Sequence, residues 1–233
     1  ITDVVSAQRS IAWSEVARRL AHEIKNPLTP MKLHLQHLQM SLHKDDAHLK
    51  EKIASISHIL IDQIDQLSHM AEEFSSFAKM PMALPELQNI NQILNSCIVL
   101  FRSQSHLEID YETSNDIIMV MVDKDQLTRV FTNILKNAQQ ATEDNEVCKI
   151  QVKIEDNDDH VDISFTDNGK GIEEDLKDKI FQPNFSTKNS GMGLGLAICK
   201  KIIEQVHGSI TFESTLNKGT TFHVKLPIHK TYH

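Results

Sequence analysis

A histidine beside a carboxylate lies in the first long helical pattern of the sequence. His22 is two residues from both Leu20 and Ile24, about 200° around a helix from each, so it faces away from their apolar seam. Glu23 can accept an imidazole proton, and an imidazole with an adjacent base is a competent nucleophile toward phosphorus. Asn26 follows one turn later on the same face. The pattern indicates an exposed, reactive histidine, with an ordinary solvated side chain as the alternative.

A proline close to this histidine supports the functional interpretation. The sequence has 13 histidines, so residue type alone would not single out His22. Pro27 should kink or loosen the helix beside it, at a cost of about 3 kcal/mol. A break of that cost next to an exposed histidine indicates a functional position.

Two asparagines in the second half of the chain could bind a cation. Asn133 and Asn137 are spaced i, i+4 in a helix predicted from Lys124 to about Thr142, so both amides project from one face. Asparagine is a poor helix former, and two aligned oxygens suit a hard cation such as Mg²⁺. Two solvated asparagines are the alternative.

An aspartate and two glycines end a later predicted strand, in the run Asp167-Asn-Gly169-Lys-Gly171. A tight turn would explain the glycines, but it would not explain an acid placed where the strand ends. A carboxylate at that point can accept a hydrogen bond from an exocyclic amine such as that of adenine.

Three alternating glycines, Gly191, Gly193 and Gly195, precede an amphipathic helical pattern. Bare backbone amides and the positive end of a helix dipole can hold phosphate oxygens there. The run does not fit the dinucleotide-binding pattern, because no strand and downstream acid of a βαβ unit flank it.

The net charge of −8 is concentrated in the second part of the chain. Residues 1–80 hold 9 Lys and Arg against 10 Asp and Glu, whereas residues 81–233 hold 15 against 22, a balance of −7. Nucleic acid is therefore a poor partner, since its binding rests on neutralising phosphates with cationic side chains. A polyanion bound by the second part would need a metal ion and backbone dipoles for positive charge.

The elements that must carry His22 are two helices joined by a polar turn near residues 43–46. Apolar residues recur every three or four positions in both, the pattern of helices packed in a bundle. We expect an antiparallel hairpin over residues 1–80. One hairpin cannot enclose two apolar seams, so the pattern predicts a homodimer that forms a four-helix bundle.

A linker with two prolines is predicted at residues 81–88, followed by a mixed α/β domain at 89–233. The predicted elements are helices near Asn91–Phe101, Lys124–Thr142 and Leu194–Val206, strands near His106–Tyr111, Ile117–Val122, Lys149–Glu155 and His160–Thr166, and a closing hairpin of Ser209–Ser214 and Thr220–Leu226.

Composition fits a globular protein in a reducing compartment. Apolar residues make up 40% and charged residues 24% of the chain, and no apolar run approaches the roughly 18 residues that cross a bilayer. The three cysteines form no CxxC pair, which argues against a disulfide or zinc framework. Because the chain begins at Ile1 with no Met, we expect a fragment of a longer protein. From the cysteines and the lack of a long apolar run we expect this fragment to be cytoplasmic without direct membrane contact, and the full-length protein could be anchored in the inner membrane.

These motifs together resemble the core of a sensor histidine kinase. The run from Trp13 to Pro30 around His22 is similar to the H-box of the nitrogen-regulation subgroup. Asn137, the Asp167 turn and the Gly191 run are similar, in order, to the N, G1 and G2 boxes of the ATPase domain shared with gyrase, Hsp90 and MutL. The run from Phe181 to Lys188 resembles the F-box and lid. The resemblance covers about residues 6–228.

The resemblance implies an α-hairpin domain followed by an α/β sandwich ATPase domain that uses ATP and Mg²⁺. His22 would be the phosphoacceptor and Glu23 its general base. Phosphate would pass to an aspartate of a response regulator, and Asn26 would orient a water when the protein acts as a phosphatase.

For the nucleotide, the resemblance implies Mg²⁺ ligation by Asn137 with Asn133 in support, and adenine recognition by Asp167 and Gly171. It also implies a wider nucleotide-binding set, consisting of Gly169, Phe181, Lys188, Gly191, Gly193, Gly195 and Phe222. Departures from the family pattern stand at Gln140, Met192 and Asn184. The competing functions are a gyrase- or Hsp90-like ATPase and a nucleotide-responsive scaffold that does not phosphorylate itself.

Overall fold

The computed structural model describes residues 21, 24–42, 49–78, 83–102, 106–142, 147–157, 159–183, 185–186 and 193–229. Two compact units are present. One comprises Ile1–Met80 with Ser186–Leu194, and the other comprises Pro81–Phe185 with Gly195–His233.

The first unit contains the two long helices that the apolar spacing predicts. Helix α1 covers 24–42 and helix α2 covers Leu49–Ala78. On α1, Ile24, Met31 and Leu38 are half-buried, as expected for one face of a packed helix. Pro27, where we predicted a kinked or loosened backbone, is buried in the first described turn, and residues 24–42 are helical without interruption through it; residues 22 and 23 lie outside the described residues.

Part of the apolar stripe on these helices is exposed. Leu28, Leu35 and Leu42, spaced by seven residues on α1, are 47%, 48% and 56% exposed, and Ile53 and Ile64 on α2 are 39% and 53% exposed. Each of the three leucines follows a half-buried residue of α1 by four positions, so the two sets adjoin on one face of the helix. The stripe is therefore only partly covered within the unit.

The second unit is built from seven strands and three α-helices in its described part. Its elements, in chain order, are β1 (Glu86–Asn89), α3 (Ile90–Arg102), β2 (Leu107–Thr113), β3 (Met119–Val122), α4 (Lys124–Ala141), β4 (Cys148–Asp156), β5 (His160–Asp167), a 3₁₀ helix (Glu174–Lys179), α5 (Gly195–Gln205), β6 (Ser209–Thr215) and β7 (Gly219–Pro227).

Five of these strands form one sheet in the order β2-β4-β5-β7-β6, and β1 pairs with β3 in a separate two-stranded sheet. Only β2 and β4 run parallel in the larger sheet. Burial alternates along β4 and β5, and their inward residues face the helices. The result is the predicted two-layer α/β sandwich, with helices on one face of the sheet.

Asp123 joins the two-stranded sheet to α4. Its Oδ1 accepts hydrogen bonds from the backbone nitrogens of Asp125 and Gln126, both at 3.0 Å, which caps the helix. Its Oδ2 accepts from the backbone nitrogen of Leu84 at 3.0 Å. The bond from Leu84, with the two capping bonds, lowers the pKa of Asp123. The capping geometry explains why α4 begins at Lys124.

The elements predicted from the sequence are present, with ends within three residues of those expected. Two short elements were not predicted: the strand Glu86–Asn89, which lies partly in the predicted linker, and the 3₁₀ helix Glu174–Lys179. All three cysteines are buried and free, in agreement with the sequence. Among the described residues, no helix is both long and apolar enough to span a membrane.

Candidate nucleotide-binding site

Four of the predicted site residues, His22, Glu23, Lys188 and Gly191, lie outside the described residues, as do Met192 and Asn184. The first unit contains Asn26, which is exposed on α1, and Gly193. The remaining predicted site residues belong to the second unit, and they are Asn133, Asn137, Asp167, Gly169, Gly171, Phe181, Gly195 and Phe222.

Asp167 is a buried carboxylate at the end of β5, with 5% of its surface exposed. Its Oδ1 accepts hydrogen bonds from the backbone nitrogens of Gly169 at 2.9 Å and Thr220 at 3.2 Å. No donor among the described residues bonds to its Oδ2. Burial raises the pKa of Asp167, and the two backbone bonds oppose that rise. One oxygen is therefore fixed by the protein, while the other is able to accept from a ligand.

The loop after Asp167 is attached to the end of α4. Lys170 donates its backbone N–H to the carbonyl oxygen of Ala141 at 2.9 Å. A methyl group on Gly169 would lie 2.6 Å from Ala141 Cβ, so a side chain cannot be accommodated there. The carboxylate and the helix that carries Asn137 are thereby held together.

Gly171 is required by its backbone conformation. Its φ is +70°, and a side chain there would collide with the backbone of Thr215 in the next hairpin. The conformation and the close approach of Thr215 explain why a glycine stands at this position.

Asn168 anchors the same loop to β4. Its Oδ1 accepts from the backbone nitrogen of Lys149 at 2.8 Å, and its Nδ2 donates to the carbonyl oxygen of Val147 at 3.0 Å. Both ends of the amide are used, so Asn168 attaches the loop to the start of β4 and leaves ligand contacts to its neighbours.

Asn133 and Asn137 are both half-buried on α4. The Asn133 side chain lies against Gly195, where an added methyl group would be 2.7 Å from Asn133 Oδ1. The thiol of Cys199, on the second turn of α5, donates to the carbonyl oxygen of Val130 on α4, and burial raises its pKa to about 12, a rise that the nearby Asn133 side chain opposes. The amide of Asn133 therefore joins α4 to the first two turns of α5, a contact that residue spacing alone could not reveal.

The first turn of α5 has the backbone geometry expected of a glycine-rich helix start. Gly193 has a φ of +62°, and the helix begins at Gly195. The N–H groups of the first turn lack helical partners and carry the positive end of the helix dipole, which favours an anion. Asn133 fits against Gly195 only because the glycine has no side chain.

Phe181 and Phe222 are connected through a third aromatic ring. Phe212 lies 5.9 Å from each of them, measured between ring centroids. Phe222 is 5% exposed on the inward face of β7, and Lys200 Nζ lies 5.7 Å from the centre of the Phe181 ring. The three rings form an apolar cluster that includes Phe222, two residues from Thr220 on β7.

Thr220 was not predicted as a site residue, although its backbone N–H donates a hydrogen bond to Asp167 Oδ1. It is a buried polar residue, 5% exposed, opposite the end of β5. The run Gly219-Thr-Thr-Phe222 could have suggested it, since two hydroxyl residues beside a strand-end acid invite a polar contact. The described part of the second unit thus contains one carboxylate oxygen able to accept, the helix start at Gly195, and the half-buried amides of Asn133 and Asn137.

Two family profiles match the chain in adjacent regions. The His Kinase A (phospho-acceptor) domain matches residues 12–82, and the Histidine kinase-, DNA gyrase B-, and HSP90-like ATPase matches residues 122–230. Nitrogen regulation protein NtrY of Azorhizobium caulinodans is 34% identical over 216 residues, covering 90% of this chain and 28% of that protein. Sporulation kinase E of Bacillus subtilis is 34% identical, covering 92% of this chain and 28% of the kinase.

Solved structures agree with these matches. The catalytic domain of histidine kinase ThkA has a TM-score of 0.57 and 36% identity, covering 62% of this chain and 95% of that domain. The crystal structure of ThkA in complex with the response regulator protein TrrA has a TM-score of 0.74 and 31% identity, covering 95% of this chain and 63% of that one.

The chain therefore belongs to the sensor histidine kinases, with a phosphoacceptor region followed by an ATPase region. Within that family, its similarity to NtrY and NtrY-like proteins supports the nitrogen-regulation subgroup. The chain spans 28% of NtrY and 38% of an NtrY-like kinase of Rickettsia conorii.

Proposed function

We propose that the chain is an autokinase core that uses Mg·ATP to phosphorylate His22 and then passes the phosphoryl group to an aspartate of a response regulator. Glu23 would act as the general base, because a carboxylate beside imidazole can accept its proton. The phosphoacceptor match over residues 12–82 supports this function over a gyrase- or Hsp90-like ATPase.

The observation that carries the proposal is the half-satisfied carboxylate of Asp167. A buried carboxylate is unfavourable unless its oxygens are hydrogen-bonded. Oδ1 is bonded twice to backbone, and Oδ2 has no partner among the described residues. The 6-amino group of adenine is a donor suited to Oδ2, and Gly171 would lie along the same edge of the base.

Phosphate binding would use the glycine-rich start of α5, with Gly191, Gly193 and Gly195 allowing close approach. Lys188 would contribute the cationic lid contact. Phe222 and Phe181, supported through Phe212, would form the apolar side of the nucleotide site.

Mg²⁺ fits the donor set on α4. Asn137 is half-buried one turn before Ala141, where the Asp167 loop is attached, and amide oxygens are suitable Mg²⁺ ligands. Asn133 would support Asn137 from its position between Gly195 and Cys199. When bound, the ion would neutralise phosphate charge that a domain with a balance of −7 cannot neutralise with side chains.

Incubation with radiolabelled ATP tests the function directly. The wild-type chain should incorporate acid-labile, base-stable phosphate, as a phosphoramidate does, and chelation of Mg²⁺ should abolish it. Asn137→Ala should reduce labelling by roughly 10-fold or more, as expected when a charge-bearing contact is lost. Asn95→Ala, an exposed asparagine of α3, is the matched control. Undiminished labelling of Asn137→Ala would remove the metal assignment.

A homodimer would cover the exposed apolar stripe of α1 and α2, because such contiguous apolar surface marks an interface. Leu35→Asp should convert the dimer to a monomer by placing a charge in that interface. Light scattering at micromolar concentration measures the mass, and Gln36→Asp, on the exposed face one residue further along, should leave the dimer intact. A second substitution to disrupt the dimer is better made at Ile64, which is exposed, than at Ile56, which is half-buried.

A response regulator is the proposed partner of the phosphorylated histidine. ThkA was crystallised with the response regulator protein TrrA, and the exposed position of Asn26 on α1 is compatible with a role toward a docked receiver domain. Asn26 would orient water for dephosphorylation of the regulator.

The three free thiols suit the reducing cytoplasm. We propose 1–80 as the dimerisation and phosphoacceptor domain, 81–88 as the linker and 89–233 as the ATP-binding domain.

A further inference from the structure

A single hydroxyl group, that of Ser214 on β6, links the Asp167 loop to the start of β7. Ser214 Oγ accepts a hydrogen bond from the backbone nitrogen of Ile172 at 2.9 Å. It also lies 3.1 Å from the carbonyl oxygen of Gly219 and 2.9 Å from Thr220 Oγ1. Ser214 is half-buried at the end of its strand, opposite Thr220 in the sheet register.

All three contacts can be hydrogen bonds at the same time. A serine hydroxyl has one proton to donate and two lone pairs that accept. Ser214 donates its proton to Gly219, while the Ile172 N–H and the Thr220 hydroxyl donate to its two lone pairs. This assignment uses the one donor and both acceptor sites of the Ser214 hydroxyl. Removing the hydroxyl therefore removes all three hydrogen bonds.

The groups held by Ser214 flank the carboxylate on both sides. Thr220 donates its backbone N–H to Asp167 Oδ1, and Ile172 lies in the loop between Asp167 and the 3₁₀ helix. A second hydrogen bond, from the backbone nitrogen of Asn217 to the carbonyl oxygen of Lys170 at 2.8 Å, joins the same hairpin to the loop. That bond is between backbone atoms, whereas the bonds of Ser214 depend on its side chain.

We propose that Ser214 is a positioning residue for adenine recognition, which holds Thr220 and Ile172 so that Asp167 keeps Oδ1 on the protein and Oδ2 toward the base. The inference rests on the proposed function, since it takes the 6-amino group as the partner of Oδ2. Ser214 itself does not touch the nucleotide in this arrangement. Its effect is on the discrimination between purines that differ at position 6.

The test compares Ser214→Ala with Ser214→Thr, which retains the hydroxyl, and with Ser209→Ala, an exposed serine of the same strand. Titration calorimetry with ATP and with inosine triphosphate measures affinity and discrimination. Ser214→Ala should raise the Kd for ATP about fivefold to tenfold, the effect of losing neutral hydrogen bonds. The preference for ATP over inosine triphosphate should fall by a similar factor. Ser214→Thr should recover both, and Ser209→Ala should match the wild type.

Amide hydrogen exchange of the nucleotide-free protein provides a second measurement. The amide of Ile172 should exchange faster in Ser214→Ala, because it loses its acceptor. The amide of Thr220 should also exchange faster, because the Thr220 hydroxyl loses its contact with Ser214 and the bond from that amide to Asp167 Oδ1 is held less firmly. The inference is overturned if Ser214→Ala lowers the melting temperature but leaves purine discrimination and these exchange rates unchanged. If the wild type does not bind ATP, the proposed function fails instead, and the exchange rates still decide whether Ser214 holds the loop.

Discussion

His22→Gln should bind ATP with wild-type affinity and incorporate no phosphate. The residues assigned above to adenine and Mg²⁺, among them Asn137 and Asp167, belong to the second unit, whereas His22 belongs to the phosphoacceptor match at residues 12–82. Glutamine is close in size to histidine, but its amide nitrogen is not nucleophilic. Calorimetry and radiolabelling of the same preparation measure the two properties separately.

A substitution at Glu23 distinguishes the role of the general base from that of the nucleophile. Glu23→Ala keeps the imidazole but removes the proton acceptor, so the labelling rate should fall by roughly 10²–10⁴. His37→Gln, an exposed histidine of α1, is the matched control and should label normally. Full labelling of His22→Gln, or mass spectrometry that places the phosphate on another residue, would refute the assignment of His22.

Asp167→Asn should weaken ATP binding by roughly 10- to 100-fold, the range expected for losing a hydrogen bond to a charged group. Asparagine has the same shape, and its Oδ1 can still accept from Gly169 and Thr220. Its Nδ2 then replaces Oδ2, so a donor faces the 6-amino group. Inosine triphosphate carries an acceptor oxygen at that position, so Asp167→Asn should shift selectivity toward it.

The control is Asp162→Asn, on the same strand but on the opposite face, where Asp162 lies near His223. It should leave both affinities unchanged. Wild-type ATP affinity should fall as the pH is lowered through the raised pKa of Asp167, since the protonated oxygen becomes a donor. This pH dependence should be absent in Asp167→Asn. Equal ATP binding by wild type and Asp167→Asn would contradict the adenine assignment.

Periodicity accounts for what the sequence predicted well. The helices from Lys124 and Leu49 and the strands ending at Asp167 and Thr215 follow apolar spacing that matches their period. Asp167 was identifiable as an acid at a strand end beside two glycines, although its bond from the Gly169 nitrogen is also the bond of an Asx turn. The strand Glu86–Asn89 was missed because it is four residues long and follows two prolines.

Contacts between distant segments account for what was missed. The parallel pairing of β2 with β4 joins strands separated by β3 and α4. Asn133 shares the predicted face with Asn137, yet its amide is placed against α5 by tertiary packing. The links of Ser214 to Ile172, and of Thr220 to Asp167, also connect separate parts of the chain.

The three buried thiols have a practical consequence for labelling chemistry. Cys97, Cys148 and Cys199 are buried, and burial raises the pKa of each. Alkylating reagents and spin labels react with thiolates that they can reach, so the native cysteines are poor targets. A cysteine introduced at an exposed position such as Gln36 would react selectively without removal of the native ones. Spectroscopic distances between two such probes can therefore be measured on the otherwise unaltered chain.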